Sequence, residues 1–278
     1  MMEEPDDHMT SSQALPTKPG VRQRFRRGPL VALVWVVVCS GLLTSCGVMV
    51  QRAREATRCT TCEFNLKVLW LGLGGFNNAN GSLPPAWLCD ENGKPMHSWR
   101  ALMFPYAGYY GFTEGYHIKE PWDGPTNAKW QKTPFYELQC RSVDAKSHSA
   151  IDYVAVVGPD TMWPGRERVK LLEKVEGGQD TILVIEMPDS DYRALEPRSP
   201  TVDEFMAKIK SPTGKGIRTI HPKGLAYVTV GGDVRWFPPG TEPETIRQLL
   251  KRDPKCKVIP AEEKIGIVEN WEKIKDER

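Results

Sequence analysis

The tightest pairing of reactive side chains is Cys59-Thr-Thr-Cys62. Two thiols at this spacing suit a redox couple or half of a zinc site. The pair sits on a predicted helix, without the strand-to-helix setting of a thioredoxin-type motif. No second Cys-x-x-Cys supplies two more ligands, so these cysteines read as structural and no metal ligand is assigned. The five histidines (His8, His97, His117, His148, His221) are scattered, with no spacing such as His-Glu-x-x-His. "GLGGF" at 72–76 lacks the Lys-Ser or Lys-Thr of a phosphate loop. Glu186 ends an apolar run and needs a partner if buried, a Lys or Arg being the expected one. These residues point to no catalytic group and no cofactor, so the chain is not expected to be an enzyme.

What positions these residues begins with an apolar span. "LVALVWVVVCSGLLTSCGVMV" (30–50) carries no charge, and a helix of that length reaches roughly 30 Å, a bilayer's hydrocarbon thickness. Apolar character on every face argues against a core helix. Lys18, Arg22, Arg24, Arg26 and Arg27 precede it; Arg52, Arg54 and Arg58 follow it, partly offset by Glu55 and Glu63. That bias puts the N-terminus in the cytoplasm and the bulk outside, in a single-pass cell-membrane protein. "LTSC" (43–46) keeps an alternative open, a lipoprotein lipidated at Cys46 after cleavage. The chain thus divides into a disordered cytoplasmic tail (1–28), a transmembrane helix (29–50), an extracytoplasmic domain (51–240) and a charged helical C-terminal extension (241–278).

The 278 residues carry a formal charge of +2, from 37 basic and 35 acidic side chains, which leaves no clustered basic surface for nucleic acid. Twenty-four Gly and 23 Pro indicate a loop-rich body. The span is predicted to continue as a stalk helix with Phe64, Val68 and Leu71 as its apolar stripe. "DYVAVVG" (152–158), "TILVIE" (181–186), "LAYVTV" (225–230) and "DVRWF" (233–237) read as strands, the last two joined at Gly231-Gly232, which suits the positive φ of a hairpin turn. Helices are predicted from Thr201 and Thr241, each followed three residues later by Glu. Segment 84–150 is predicted to hold long ordered loops with short helices. Its tryptophans, with Trp163 beyond it (Trp87, Trp99, Trp122, Trp130), either fill an irregular core or line a groove for a sugar or peptide. In an oxidising compartment disulfides become possible; Cys140 is expected to pair with Cys62 or Cys89.

Eight stretches in order resemble the bacterial domain of unknown function 1559 family: "AREATRCTTCEFNLK", "NGSLPPAW", "GKPMHSWRALMFPY", "EPWDGPTNAKW", "FYELQC", "YVAVVGPDTMWPG", "GGQDTILVIE" and "HPKGLAYVTVGGDVRWF". The family's C-terminal signature is His, nine residues, then Asp-Gly; here His221 is followed by nine residues and Gly231-Gly232. The resemblance implies an α+β, pseudopilin-like architecture, a long N-terminal transmembrane and stalk helix packed on an antiparallel sheet. It gives His221 a structural role at the start of the terminal hairpin. Family leaders end in Gly, then Phe, with Glu four residues further; here Gly28 precedes Pro29, and Leu33 stands at the Glu position. Membrane anchoring depends on neither feature. The function expected is a non-catalytic, membrane-anchored, pilin-like protein with a structural or assembly role in the envelope or a secretion-type system. Its partners would be the lipid bilayer and other pilin-like or envelope proteins. The alternative is an extracytoplasmic binding module for a small solute, sugar or peptide.

Overall fold

The structure, a computed structural model, describes residues 28–143, 150–171, 180–261 and 266–276. The predicted tail lies outside them, apart from Gly28. Helix α1 runs Gly28–Asn80. The chain divides at Val50/Gln51 into two compact units. In the first, α1 is long and apolar enough to cross a membrane, and none of its apolar stretch is buried. Val31, Trp35, Leu42, Leu43 and Met49 are all exposed, as is Cys46. Such a surface is stable in hydrocarbon, not in water.

The second unit is α+β. Its centre is an antiparallel sheet of β3 (Tyr153–Val154), β5 (Ile182–Glu186), β6 (Leu225–Thr229) and β7 (Val234–Phe237), in the order β3-β5-β6-β7. The four apolar runs read as strands are these four, though β3 is only two residues long. β5 and β6 are buried along their whole length, as strands covered on both faces are. Two further two-stranded antiparallel sheets are formed by β1 (Trp87–Cys89) with β2 (Pro95–Ser98), and by β4 (Arg168–Lys170) with the sequence-distant β8 (Lys257–Ile259). Short helices α2 (Trp99–Met103), α3 (Tyr110–Gly115), α4 (Val202–Ile209), α5 (Pro243–Leu249) and α6 (Ile267–Asp276) fill the connections. Within residues 84–143 the ordered loops carry α2, α3 and three single 3₁₀ turns, as the composition implies.

The stalk portion of α1 buries a different face from the one expected. Phe64 and Leu71 are exposed, while Cys62, Leu66, Leu69, Leu73 and Phe76 enter the core. Both stripes have helical spacing; the sheet and the loop bearing Cys140 take the second because only that face carries Cys62 and Asn65, whose polar atoms find partners inside. The cap on α4 forms as read: Thr201 accepts from the Glu204 N–H and Glu204 reaches back to the Thr201 N–H. That on α5 does not, because Glu242 is the N-cap and Pro243 opens the helix. The loop tryptophans belong to the core: Trp99 and Trp163 are buried, with ring centroids 5.2 Å apart, and Trp87, Trp122 and Trp130 lie half-buried against it. At the C-terminal end Trp271 packs on the rings of Phe112 and Tyr116.

Candidate functional site

Glu55, Cys59 and Cys62 follow one another at i, i+4 and i+7 on α1, so all three project from one face. Cys140 follows a 3₁₀ turn (Tyr136–Leu138) and is held by its N–H donating to Asp152 Oδ2 at 2.8 Å. Asn65, one turn beyond Cys62, donates through Nδ2 to the Gln139 carbonyl at 3.2 Å, which ties that loop to α1. Glu186 closes β5, and its Oε2 accepts the Ala226 N–H of β6 at 2.8 Å. His221 lies in the turn before β6, closed by Gly224 N–H donating to the His221 carbonyl at 3.0 Å. Four separate segments thus deliver four functional side chains to one buried place.

There, Cys62 Sγ is 3.2 Å from His221 Nε2, Cys140 Sγ is 3.2 Å from the same atom, and the two sulfurs are 3.5 Å apart. Glu186 Oε1 is 3.5 Å from His221 Nε2. On the other edge of the ring, His221 Nδ1 is 2.6 Å from Glu55 Oε1, with Ser142 Oγ at 3.3 Å and Cys59 Sγ at 3.6 Å. The Trp236 ring closes over the imidazole edge-on, centroids 5.3 Å apart. Cys62 and Glu186 are fully buried, and His221 and Cys140 are 1% and 3% exposed. Glu186 Oε1 accepts no hydrogen bond among the described residues.

Burial and crowding of anionic groups set the proton affinities. Hydrogen bonding with the Cys140 thiol, against the cost of burial and helped by His221, holds Cys62 down at about 4, while Cys140 at the other end of that bond is pushed up. Burial raises Glu186 to about 7. Burial alone would lower His221, but Cys62, Glu186 and Glu55 outweigh it and raise the imidazole to about 11. The cluster therefore retains protons to offset the negative charge that its acids would carry together.

Glu55–His221–Cys62 has the connectivity of an orienting acid, a base and a nucleophile. A nucleophile must meet a substrate, and Cys62 has no exposed surface. What this donor set can do where it stands is share protons, form a sulfur–sulfur bond, or bind a cation. Of the residues singled out from the sequence, Cys62, Cys140 and His221 come together here. Cys89 lies apart, half-buried on β1 beside Arg166. Gly232 takes the left-handed conformation of the hairpin turn (φ +88°), its N–H donating to the Thr229 carbonyl. His8 and His148 lie outside the described residues.

Two participants escaped the sequence reading as site residues. Glu55 enters the sequence reading only as a charge flanking the span, although its helical spacing from Cys59 and Cys62 is a usable signal. Glu186 was expected to meet Lys or Arg; its partners are instead a backbone N–H and His221. Nothing in the local sequence around Cys140 announces its approach to His221, 81 residues on.

Residues 51–160 match the family described as protein of unknown function DUF1559. No curated protein and no solved structure matches the chain. Cys62 and Cys140 lie within the matched segment; Glu186 and His221 lie beyond it, in stretches that carry the sequence resemblance. The match over residues 51–160 supports the resemblance to the DUF1559 family that the sequence carries.

Proposed function

We propose that this is a single-pass, membrane-anchored protein with its body outside the cytoplasm, acting without catalysis as a pilin-like structural or assembly component of the envelope. The observation that carries this reading is α1. Beyond its uniformly apolar, exposed first part, the helix has two apolar stripes. One is buried in its own body, and the other, Phe64 and Leu71, faces outward. Outward apolar residues on a stalk are suited to packing against neighbouring helices. The non-catalytic part of the reading is supported by the sealed position of the Cys62–His221 pair.

Intact mass and N-terminal sequencing of the chain from native membranes, with protease added to intact cells, test it. A retained apolar segment and an accessible body are expected. A lipid-modified chain beginning at Cys46 makes it a lipoprotein instead, and a body protected from external protease refutes the orientation. For the assembly role, a photo-crosslinker at Phe64 should join the chain to an envelope protein. Absence of any adduct when a control probe in the exposed loop at Lys215 is equally silent counts against it.

A further inference from the structure

We infer that Cys62, Cys140, Glu186 and His221 form a closed, structural zinc site in the body of the protein. All four donor atoms lie within 4.8 Å of one another and belong to buried residues. Two sulfurs, an imidazole nitrogen and a carboxylate oxygen are a set that zinc accepts in tetrahedral geometry. With Zn–S near 2.3 Å and Zn–N or Zn–O near 2.0–2.1 Å, a tetrahedron has edges of roughly 3.8 Å (S–S), 3.5 Å (S–N) and 3.3 Å (N–O). The observed separations of 3.5, 3.2, 3.2 and 3.5 Å depart from those by about 0.3 Å or less. An ion requires the sulfurs to spread by about 0.3 Å, and the two Cys–Glu186 edges lie within the 4.8 Å that bounds the whole donor set.

Three further observations converge. Glu186 Oε1 is sealed in the protein and accepts no hydrogen bond among the described residues, with His221 Nε2 facing it at 3.5 Å. A polar atom in that position normally has a partner, and a cation supplies one. Glu55 sits against His221 Nδ1, the carboxylate–histidine arrangement that fixes Nδ1–H and turns the Nε2 lone pair toward a metal. Finally, two thiolates and a carboxylate bring three negative charges, which a divalent ion reduces to one. Sulfur donors exclude the hard cations magnesium and calcium. With four protein ligands and no exposed face the site has no open position, so its role is to clasp α1, the Cys140 loop, the end of β5 and the turn before β6 together. Binding needs two thiolates and a neutral imidazole, so it releases to solvent the protons held on Cys140 Sγ and His221 Nε2; no redox step is involved. The inference does not rest on the membrane reading, since every donor is in the body.

The experiment uses the full chain, purified in detergent without chelator. Metal analysis should find about one zinc per chain, kept by Cys89→Ser and lost by Cys140→Ser and by His221→Ala. Cobalt in place of zinc should give thiolate charge-transfer and tetrahedral d–d absorption bands. Because a ligand variant that misfolds would also lose the metal, wild-type protein provides a second reading. Stripping with a strong chelator should lower its melting midpoint and expose Cys62 and Cys140 to alkylation, and added zinc should reverse both. Glu55→Gln, a positioning change, should weaken zinc affinity about 10- to 100-fold while leaving the saturating stoichiometry at one. A Cys62–Cys140 disulfide in chain taken directly from cells overturns the inference. So does a metal-free chain whose melting and alkylation ignore added zinc.

Discussion

Replacing Gly232 by alanine should destabilise the body by more than backbone strain accounts for. Gly232 is at φ +88°, where a Cβ costs about 1–2 kcal/mol. A Cβ there would also lie 2.6 Å from two atoms of the Trp70 ring. That indole cannot simply swing away, because its Nε1 donates to the Val230 carbonyl at 3.0 Å. Overpacking of this kind costs about 1–3 kcal/mol, so the total comes to roughly 2–5 kcal/mol. Gly81 provides the control: it also has positive φ (+71°), but an added Cβ meets nothing within 4 Å. Gly81→Ala should therefore show the strain alone, about 1–2 kcal/mol. Urea unfolding of the full chain in detergent, followed by tryptophan emission, measures both. In a Trp70→Ala background the Gly232→Ala cost should fall to the Gly81→Ala value, a non-additivity that reports the contact. Equal costs for the two glycines, or an unchanged Gly232→Ala cost without Trp70, would refute the argument that this turn is built against the helix.

His97 is buried, 2.6 Å from the Tyr116 hydroxyl and 2.8 Å from the Ile118 carbonyl, and burial lowers it to about 4. The unfolded chain protonates it near 6.5 and the folded one does not, so stability present at neutral pH should fall by about 2 kcal/mol by pH 5. His97→Gln should flatten the wild-type curve across that window and leave it parallel above. Arg100 is fully buried and donates to the carbonyls of Arg193, Ala194, Glu196 and Arg198. Arg100→Met should cost about 3–5 kcal/mol in the same unfolding measurement, and Arg100→Lys should not rescue it, since an ammonium lacks the planar fork. Thr201→Ala should lose about 1 kcal/mol with the capping box, whereas Thr241→Ala, which caps nothing, should stay within about 0.5 kcal/mol.

The elements with local causes were legible in the sequence. Four β-branched runs bounded by Gly and Pro became the four strands of the central sheet, and the capping box at Thr201 marked its helix. The uncharged span read from Leu30 to Val50 lies in α1, exposed from Val31 on. What failed depended on partners distant in sequence. Phe64 and Leu66 are equally apolar and two residues apart. Only contact with the sheet and the Cys140 loop decides which of them turns inward. Likewise, Cys59-x-x-Cys62 lacked a second pair because the other ligands come singly, from residues 140, 186 and 221. A search for paired ligands overlooks a site assembled one residue per segment.

The short stretch Cys62-Glu-Phe-Asn-Leu-Lys shows why the fold and the cluster form one construction. Cys62 enters the cluster. Three residues on, Asn65 holds the Gln139 carbonyl beside Cys140, so the helix both supplies one sulfur and places the other. Leu66 fills the core one turn above Cys62. Lys67 donates to the Gly232 carbonyl and Trp70 to that of Val230, both in the β6–β7 turn. Glu63 binds Lys223 and the Trp236 indole, on either side of that hairpin, and Trp236 in turn covers His221. About two turns of helix therefore address the Cys140 loop and both ends of the hairpin that follows His221. Each of these contacts is worth only about 1 kcal/mol on its own. Anchored to one rigid helix, they fix the relative positions of donors from four segments. Asn65→Ala should accordingly loosen the Cys140 sulfur while leaving the other three donors in place. The expected result is zinc bound more weakly in the full chain, with its melting midpoint lowered more in the zinc-loaded form than in the stripped one. A midpoint lowered equally in both forms would mean that Asn65 serves the core alone.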